Sequence, residues 1–89
     1  MRYFYVYILT NLSKSVLYIG VTNSLERRLI EHRSKINPFC FTSKYNVSEL
    51  AFFEVFESIE DAIKREKSIK RMSRVAKEKL IKKFSDLRS

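Results

Sequence analysis

Four polar side chains within the first 32 residues have types and spacing that suggest a chemical site. Tyr7 is the middle residue of the triplet VYI, Tyr18 opens the triplet YIG, and Arg28 and His32 follow one helical turn apart. A phenol and an imidazole can transfer protons, and a guanidinium can stabilise negative charge. Gly20, the only glycine among 89 residues, closes the second triplet. The backbone freedom or close approach that glycine permits is therefore used beside this cluster.

Glu66 is the fifth candidate site residue. It falls in the middle of the apolar stripe of a predicted helix, whose other members are Ile59, Ala62, Ile63 and Ile69. A buried carboxylate without a partner costs several kcal/mol, so an inward Glu66 implies a cation, a metal ion or hydrogen-bond donors beside it. A base, a charge stabiliser and a metal ligand together match the requirements of phosphodiester hydrolysis.

The elements that position these residues are predicted to form an α+β fold, a small three-stranded, mainly antiparallel sheet flanked by about three helices. Residues 3–10 and 16–22 are rich in aromatic and β-branched side chains and predict a hairpin. Residues 50–56 predict a third strand, whose order within the sheet is open. Almost continuous apolar character predicts strands that are buried on both faces.

The first helix is predicted to run from about residue 24 to residue 34, with Asn23 as its N-cap and Glu26 completing a capping box. Arg28 and His32 lie on the same stripe as the apolar anchor Leu25, so they are expected to face the sheet. The other charged residues lie off this stripe and are expected to be solvated: Arg27, Glu31 and Arg33.

Two further helices are predicted after the third strand. One begins after the cap candidate Ser58, and the other runs from about Arg74 to Phe84. The net charge of +8 arises in this part of the chain, because residues 64–89 carry eleven Lys or Arg against three Asp or Glu. Such a surface suits nucleic-acid phosphates, with a solvated helix face as the alternative. The residues predicted to bind nucleic acid are Lys70, Arg74, Lys77, Lys79, Lys82 and Lys83.

Composition narrows the class of protein further. A length of 89 residues with 45% hydrophobic side chains predicts one domain over residues 1–89. The single Cys40 excludes an internal disulfide and a multi-cysteine zinc site, and predicts a reducing, cytoplasmic setting. The apolar run from Tyr3 to Leu9 is much shorter than the roughly 20 residues of a membrane span, so no anchor or membrane partner is expected. Pro38 marks a loop after the first helix.

The motifs resemble those of the GIY-YIG nuclease family. The two namesake triplets correspond to residues 6–8 and 18–20, and the family's arginine, its following His or Tyr and its metal-binding glutamate correspond to Arg28, His32 and Glu66. The resemblance covers essentially the whole chain and is greatest for the stand-alone, single-domain members. It implies an endonuclease that hydrolyses phosphodiester bonds of DNA, with RNA as the alternative substrate.

The resemblance also implies a role for each site residue. Glu66 would bind one Mg²⁺ or Mn²⁺, with waters and a phosphate oxygen as the remaining ligands. Tyr7 would be the general base, which requires its phenol pKa of about 10 to fall beside positive charge. Arg28 would stabilise charge on the phosphate, Tyr18 would orient water or phosphate, and His32 would hold or relay protons.

The chain departs from the family pattern at three places. Val6 replaces the first glycine of the family name, Val21 stands where some members have a lysine, and the asparagine that many members place near the C-terminus is not evident. These departures motivate the alternative of a catalytically inactive nucleic-acid-binding module that uses the basic C-terminal helices.

The same residues also have a structural and a partner-docking interpretation. The tyrosines can be core aromatics with Arg28 paired to Glu66 in a structural salt bridge, or the basic helices can dock a protein partner. A small footprint also predicts that a homodimer or a protein partner supplies further contacts.

Overall fold

The computed structural model describes residues 2–34 and 49–88, and only the backbone of residues 32–34 and 88. Its three strands are β1 (Phe4–Thr10), β2 (Leu17–Thr22) and β3 (Glu49–Phe56), in one antiparallel sheet of order β2-β1-β3. The predicted α+β fold is confirmed, and the order of the strands, which the sequence left open, has β1 in the centre. The loop predicted around Pro38, with Cys40, lies outside the described residues.

The central position of β1 explains its apolar sequence. Residues 6–9 are each at most 1% exposed, so both faces of this strand are buried, as predicted. Successive side chains of a strand point to opposite faces. Val6 and Ile8 therefore lie on one face of the sheet, and Tyr7 and Leu9 lie on the other. We call the face with Tyr7 and Leu9 the tyrosine face, and the face with Val6 and Ile8 the helix-pair face.

Three helices in the described part of the chain cover these two faces. On the tyrosine face, α1 (Leu25–Ser34) packs through Leu25 and Leu29. On the helix-pair face, α2 (Ile59–Arg71) buries Ala62 and Ile69, and α3 (Arg74–Arg88) packs beside it. The sheet therefore separates Tyr7 from the basic C-terminal helices.

The N-cap of α1 is Ser24, so the prediction of Asn23 was wrong by one residue. The Ser24 hydroxyl accepts a hydrogen bond from the Arg27 backbone N–H at 3.4 Å. Thr22 fixes this turn, because its hydroxyl accepts from the Ser24 N–H at 3.1 Å and donates to the Ser24 carbonyl at 3.2 Å. Asn23 instead accepts a hydrogen bond from the Arg27 side chain at 3.2 Å.

The predicted start of α2 is confirmed, because the Ser58 hydroxyl accepts from the Asp61 N–H at 3.4 Å. Ile59 and Ile63, predicted to be core positions, are 36% and 39% exposed. They lie at the border of the apolar stripe, whose centre is Ala62 and Ile69. Arg65 anchors the opposite border, donating to Glu54 of β3 at 2.7 Å.

The last helix is longer than predicted and continues past Phe84 to Arg88. The four residues that follow Phe84 contain no Gly or Pro, the usual signals for the end of a helix. Phe84 packs edge-on against two neighbouring rings of β3, with centroid distances of 5.7 Å to Phe52 and 5.2 Å to Phe53. Within residues 2–34 and 49–88, no helix has the length and apolar character needed to cross a membrane.

Candidate active site

Gly20 lies where the Tyr7 side chain needs room. The two residues are directly opposite each other in the register of β1 and β2. A Cβ atom on Gly20 would lie 2.5 Å from the Tyr7 Oη and 2.7 Å from the Tyr7 Cζ, well inside van der Waals contact. The φ angle of Gly20 is not positive, so this position needs close approach rather than an unusual backbone conformation. The Tyr7 phenol therefore lies against the β2 backbone.

Arg28 reaches the same phenol from α1. Its Nε donates a hydrogen bond to the Tyr7 Oη at 3.2 Å. Arg28 lies between the two anchors of α1, Leu25 and Leu29, both of which pack on the tyrosine face. The prediction that Arg28 faces the sheet is therefore confirmed, and the amphipathic pattern of α1 is what brings this guanidinium to the tyrosine.

Tyr18 completes an aromatic pair on the tyrosine face. Its ring centroid is 6.3 Å from that of Tyr7, and the two ring planes are inclined by 34°. Tyr18 is half-buried, whereas Tyr7 is almost completely buried. Of the five predicted site residues, the structure thus brings Tyr7, Tyr18 and Arg28 together.

The pKa of the Tyr7 phenol is raised above its usual value, contrary to the prediction that it would fall. Burial is the dominant cause, because it disfavours the phenolate. The hydrogen bond and positive charge of Arg28 lower the pKa but do not compensate for burial. The same hydrogen bond raises the pKa of Arg28, so this guanidinium stays charged. The prediction from the sequence considered the positive charge beside Tyr7 but not the burial of its phenol.

Glu31 is a site residue that sequence reasoning missed. It was predicted to be solvated, but its Oε2 accepts a hydrogen bond from Arg28 Nη1 at 3.1 Å. Its other oxygen lies 3.7 Å from Arg27 Nε. The spacing of three residues between Arg28 and Glu31 was the available signal, because side chains at this spacing are neighbours on a helix.

Glu66 lies on α2, which packs on the helix-pair face, whereas Tyr7 and Tyr18 lie on the tyrosine face. Its side chain is 19% exposed and pairs with Lys70 at 3.5 Å. The inward placement is thus confirmed, and Lys70 is the cation beside it. Since Arg28 pairs with Glu31, the alternative of an Arg28–Glu66 salt bridge was wrong.

A recess at the end of β2 connects α1 with α2. It has a volume of about 330 Å³ and is lined by Phe4, Val21, Thr22, Asn23, Arg28 and Ile59. Glu66 follows Ile59 by seven residues, which places both on the same side of α2, roughly 10 Å apart along its axis. The recess therefore brings Arg28 of α1 close to the start of α2, the helix that carries Glu66.

The remaining prediction for this region concerns His32. Its backbone lies in α1, one turn after Arg28, and its side chain is outside the described part of the structure. Among the residues whose side chains are described, no three His, Cys, Asp or Glu come together as a metal site would require. Glu66 therefore belongs to no such group within that set.

The lysines of α3 that are predicted to bind nucleic acid lie on the opposite face of the sheet from Tyr7. Lys79, Lys82 and Lys83 are exposed and Lys77 is half-buried, but all lie on α3, on the helix-pair face. They cannot flank Tyr7 on one surface of the sheet. Lys70, on α2, forms a salt bridge with Glu66.

Arg74 has a structural role that the prediction did not include. Its Nη1 donates to the Ser15 carbonyl at 3.3 Å, and its Nη2 donates to the Lys14 carbonyl. Its Nε pairs with Glu78 at 3.1 Å. Lys14 has a φ of 59°, in the left-handed region of backbone conformation, which is uncommon for residues other than glycine. Arg74 therefore braces the loop that joins the two tyrosine strands.

Comparisons with known proteins agree with this fold. A family model described as the GIY-YIG catalytic domain matches residues 3–80. The chain is 41% identical over 78 residues to a UPF0213 protein of Syntrophus aciditrophicus, covering 88% of each chain. It is 38% identical over 77 residues to a UPF0213 protein of Natronomonas pharaonis, covering 86% of this chain and 88% of that one. The solution NMR structure of a UPF0213 protein from Bacillus halodurans has a TM-score of 0.56 and 32% identity, over 90% of this chain and 83% of that one.

The chain therefore belongs to the GIY-YIG family, as its motifs predicted. The family is a nuclease family whose members act on nucleic acid, generally with divalent metal ions. The matched region, residues 3–80, contains Tyr7, Tyr18 and Arg28.

Proposed function

We propose that this protein is a metal-dependent endonuclease that hydrolyses phosphodiester bonds of DNA. The observation that carries the proposal is the 3.2 Å hydrogen bond between Arg28 Nε and Tyr7 Oη within a GIY-YIG fold. It joins a group that can accept a proton to a cation that can stabilise a phosphorane-like transition state. Arg28 also lines an open recess, through which a phosphate can approach it.

Tyr7 is proposed as the general base and Arg28 as the charge stabiliser. Since burial raises the pKa of Tyr7, the phenol needs more positive charge than Arg28 alone before it releases its proton at neutral pH. Tyr18, whose ring lies beside that of Tyr7, would orient the attacking water or the phosphate. His32, one turn after Arg28, would hold or relay a proton.

Glu66 is the proposed ligand of Mg²⁺ or Mn²⁺. One largely buried carboxylate fits a cation that takes its other ligands from water and from the substrate phosphate, as Mg²⁺ does in many phosphoryl-transfer enzymes. Lys70 would give up its pairing with Glu66 in that state. Such a cation polarises phosphate oxygens and acidifies a bound water.

The lysines of α3 are assigned to phosphates remote from the cleaved bond. They lie on the helix-pair face, whereas Tyr7 and Arg28 lie on the tyrosine face. We therefore expect them to contribute affinity and salt dependence without sequence selectivity. A site-selective cleavage pattern on a random-sequence library would contradict this expectation.

The test is cleavage of single-stranded, duplex, flap and branched DNA, and of RNA, in Mg²⁺, Mn²⁺ or EDTA. Wild type is compared with Glu66→Gln and with Glu57→Gln, which alters an exposed carboxylate between β3 and α2. We expect metal-dependent cleavage by wild type and Glu57→Gln, and its loss in Glu66→Gln. Equal activity in EDTA, or full activity in Glu66→Gln, would contradict the assignment of the metal ligand.

A second candidate function is a nucleic-acid-binding module without turnover. It is favoured by the raised pKa of Tyr7 and by the Glu66–Lys70 pair, which occupies the proposed metal ligand. The same assay separates the two candidate functions. A binding module would bind DNA without cleaving it, both as wild type and in each variant.

A further inference from the structure

Glu31 lies between two arginines of α1. Its Oε2 accepts from Arg28 Nη1 at 3.1 Å, and its Oε1 lies 3.7 Å from Arg27 Nε. Both arginines are within one helical turn of it, at the spacings where side chains meet on a helix. The pair with Arg28 is half exposed, with 40% and 37% of the side chains accessible, so its contribution to folding stability is small. Its significance is the orientation that it imposes.

The Arg28 guanidinium is held at two of its three nitrogens. Nε donates a hydrogen bond to Tyr7, and Nη1 donates a hydrogen bond to Glu31. A guanidinium is planar and rigid, so two anchors fix its rotation, whereas one anchor leaves it free to turn. Nη2 has no hydrogen-bond partner among the groups that the structure describes. It is the nitrogen that remains available to a phosphate oxygen.

We infer that Glu31 is a positioning residue, which holds Arg28 so that Nε stays on Tyr7 and Nη2 is presented to the substrate phosphate. This inference rests on the proposed function, since Arg28 is there the group that stabilises the transition state. Arg27, on the far side of Glu31, is the second cation that keeps the carboxylate in place.

The arrangement has two opposite consequences for the reaction. A carboxylate beside the phosphate site repels the substrate, so its removal tightens binding. With glutamine at this position, only a weaker hydrogen bond to an uncharged amide oxygen holds the guanidinium, and misplaced catalytic groups lose rate steeply. Glu31→Gln is therefore expected to lower kcat by about 10-fold or more while lowering KM. Loss of a residue that only stabilised the helix would not lower kcat and KM together.

The test compares Glu31→Gln with Glu26→Gln, which removes an exposed carboxylate from the first turn of the same helix. We expect kcat and KM both to fall in Glu31→Gln and to stay near wild type in Glu26→Gln. Unchanged kinetics in Glu31→Gln, or equal losses in both variants, would overturn the inference. In an Arg28→Lys background, Glu31→Gln should have little further effect on kcat, because its role acts through Arg28.

A readout without activity separates this inference from the proposed function. The Nε–H resonance of Arg28 in ¹⁵N NMR, assigned by its absence in Arg28→Lys, should exchange slowly in wild type and faster in Glu31→Gln. If wild type cleaves no substrate, the proposed function fails, and unchanged exchange in Glu31→Gln would separately show that Glu31 does not hold Arg28.

Discussion

Replacement of Gly20 by alanine should destabilise the fold through Tyr7 rather than through the backbone. The new Cβ would lie 2.5 Å from Tyr7 Oη and 3.2 Å from Tyr7 Cε1, and Tyr7 is only 1% exposed, so its ring has no free space to enter. Overpacking of a core costs about 1–3 kcal/mol. Displacement of the phenol from Arg28 adds about 1.5 kcal/mol, because its hydrogen bond with a charged partner is broken. We therefore expect a decrease of about 2.5–4.5 kcal/mol in the free energy of unfolding.

Chemical unfolding followed by circular dichroism measures this decrease, which corresponds to roughly 10–36 °C in Tm for a domain of this size. The matched control is the same substitution in a Tyr7→Ala background. There the clash is absent, and alanine should be favoured over glycine within a strand by about 0.5–1 kcal/mol. An equal cost of Gly20→Ala in both backgrounds would refute the explanation, because the cost would then lie in the backbone.

Further predictions concern the Tyr7 pKa, the basic helix and the hairpin loop. In NMR titrations of ¹³Cζ-labelled tyrosine, the Tyr7 signal, identified with Tyr7→Phe, should titrate above pH 10, and higher still in Arg28→Ala. The stability linked to this shift is complete below the unfolded pKa of about 10 and is lost as the pH rises through the folded pKa, so Tyr7→Phe should flatten the alkaline decline. A signal titrating below pH 10 would contradict dominance by burial. Replacing Lys79, Lys82 and Lys83 with glutamine should weaken DNA binding in anisotropy titrations and reduce the salt slope by about 0.9 for each phosphate that is no longer neutralised, with an unchanged rate of cleavage of bound DNA. A slower cleavage rate would place these lysines at the reaction centre. Arg74→Ala should cost about 1 kcal/mol and speed hydrogen exchange in residues 11–16, with little change in salt slope. Unchanged exchange in this loop would count against the bracing role.

Much of this fold is predictable from local patterns. The apolar run of β1 and the amphipathic stripe of α1 predict a buried strand and an inward Arg28, and both are confirmed. Gly20 beside the tyrosines predicted a close approach or an unusual backbone, and the cross-strand register with Tyr7 determines which. Local patterns succeed here because one face of each element must be buried.

Other features depend on interactions that one sequence does not reveal. The pKa of Tyr7 depends on the balance between burial and Arg28, and the larger effect arises from packing across the whole sheet. The carbonyls to which Arg74 donates lie in a loop about 60 residues earlier in the chain, so they were not predictable from its helix. The placement of the lysines opposite Tyr7 depends on which face of the sheet α3 packs against, and this tertiary contact is not visible in the sequence.

The most direct test of the central claim is single-turnover cleavage of labelled DNA by Tyr7→Phe and Tyr5→Phe in Mg²⁺ or Mn²⁺. Both substitutions remove one hydroxyl from β1 on the same face, but Tyr5 packs beside Phe53, with ring centroids 6.4 Å apart, and Tyr7 carries the bond to Arg28. If Tyr7 is the general base, its variant should lose about 10²–10⁴-fold in rate, and Tyr5→Phe should match wild type. A Tyr7→Phe protein that cleaves as fast as Tyr5→Phe would contradict the account.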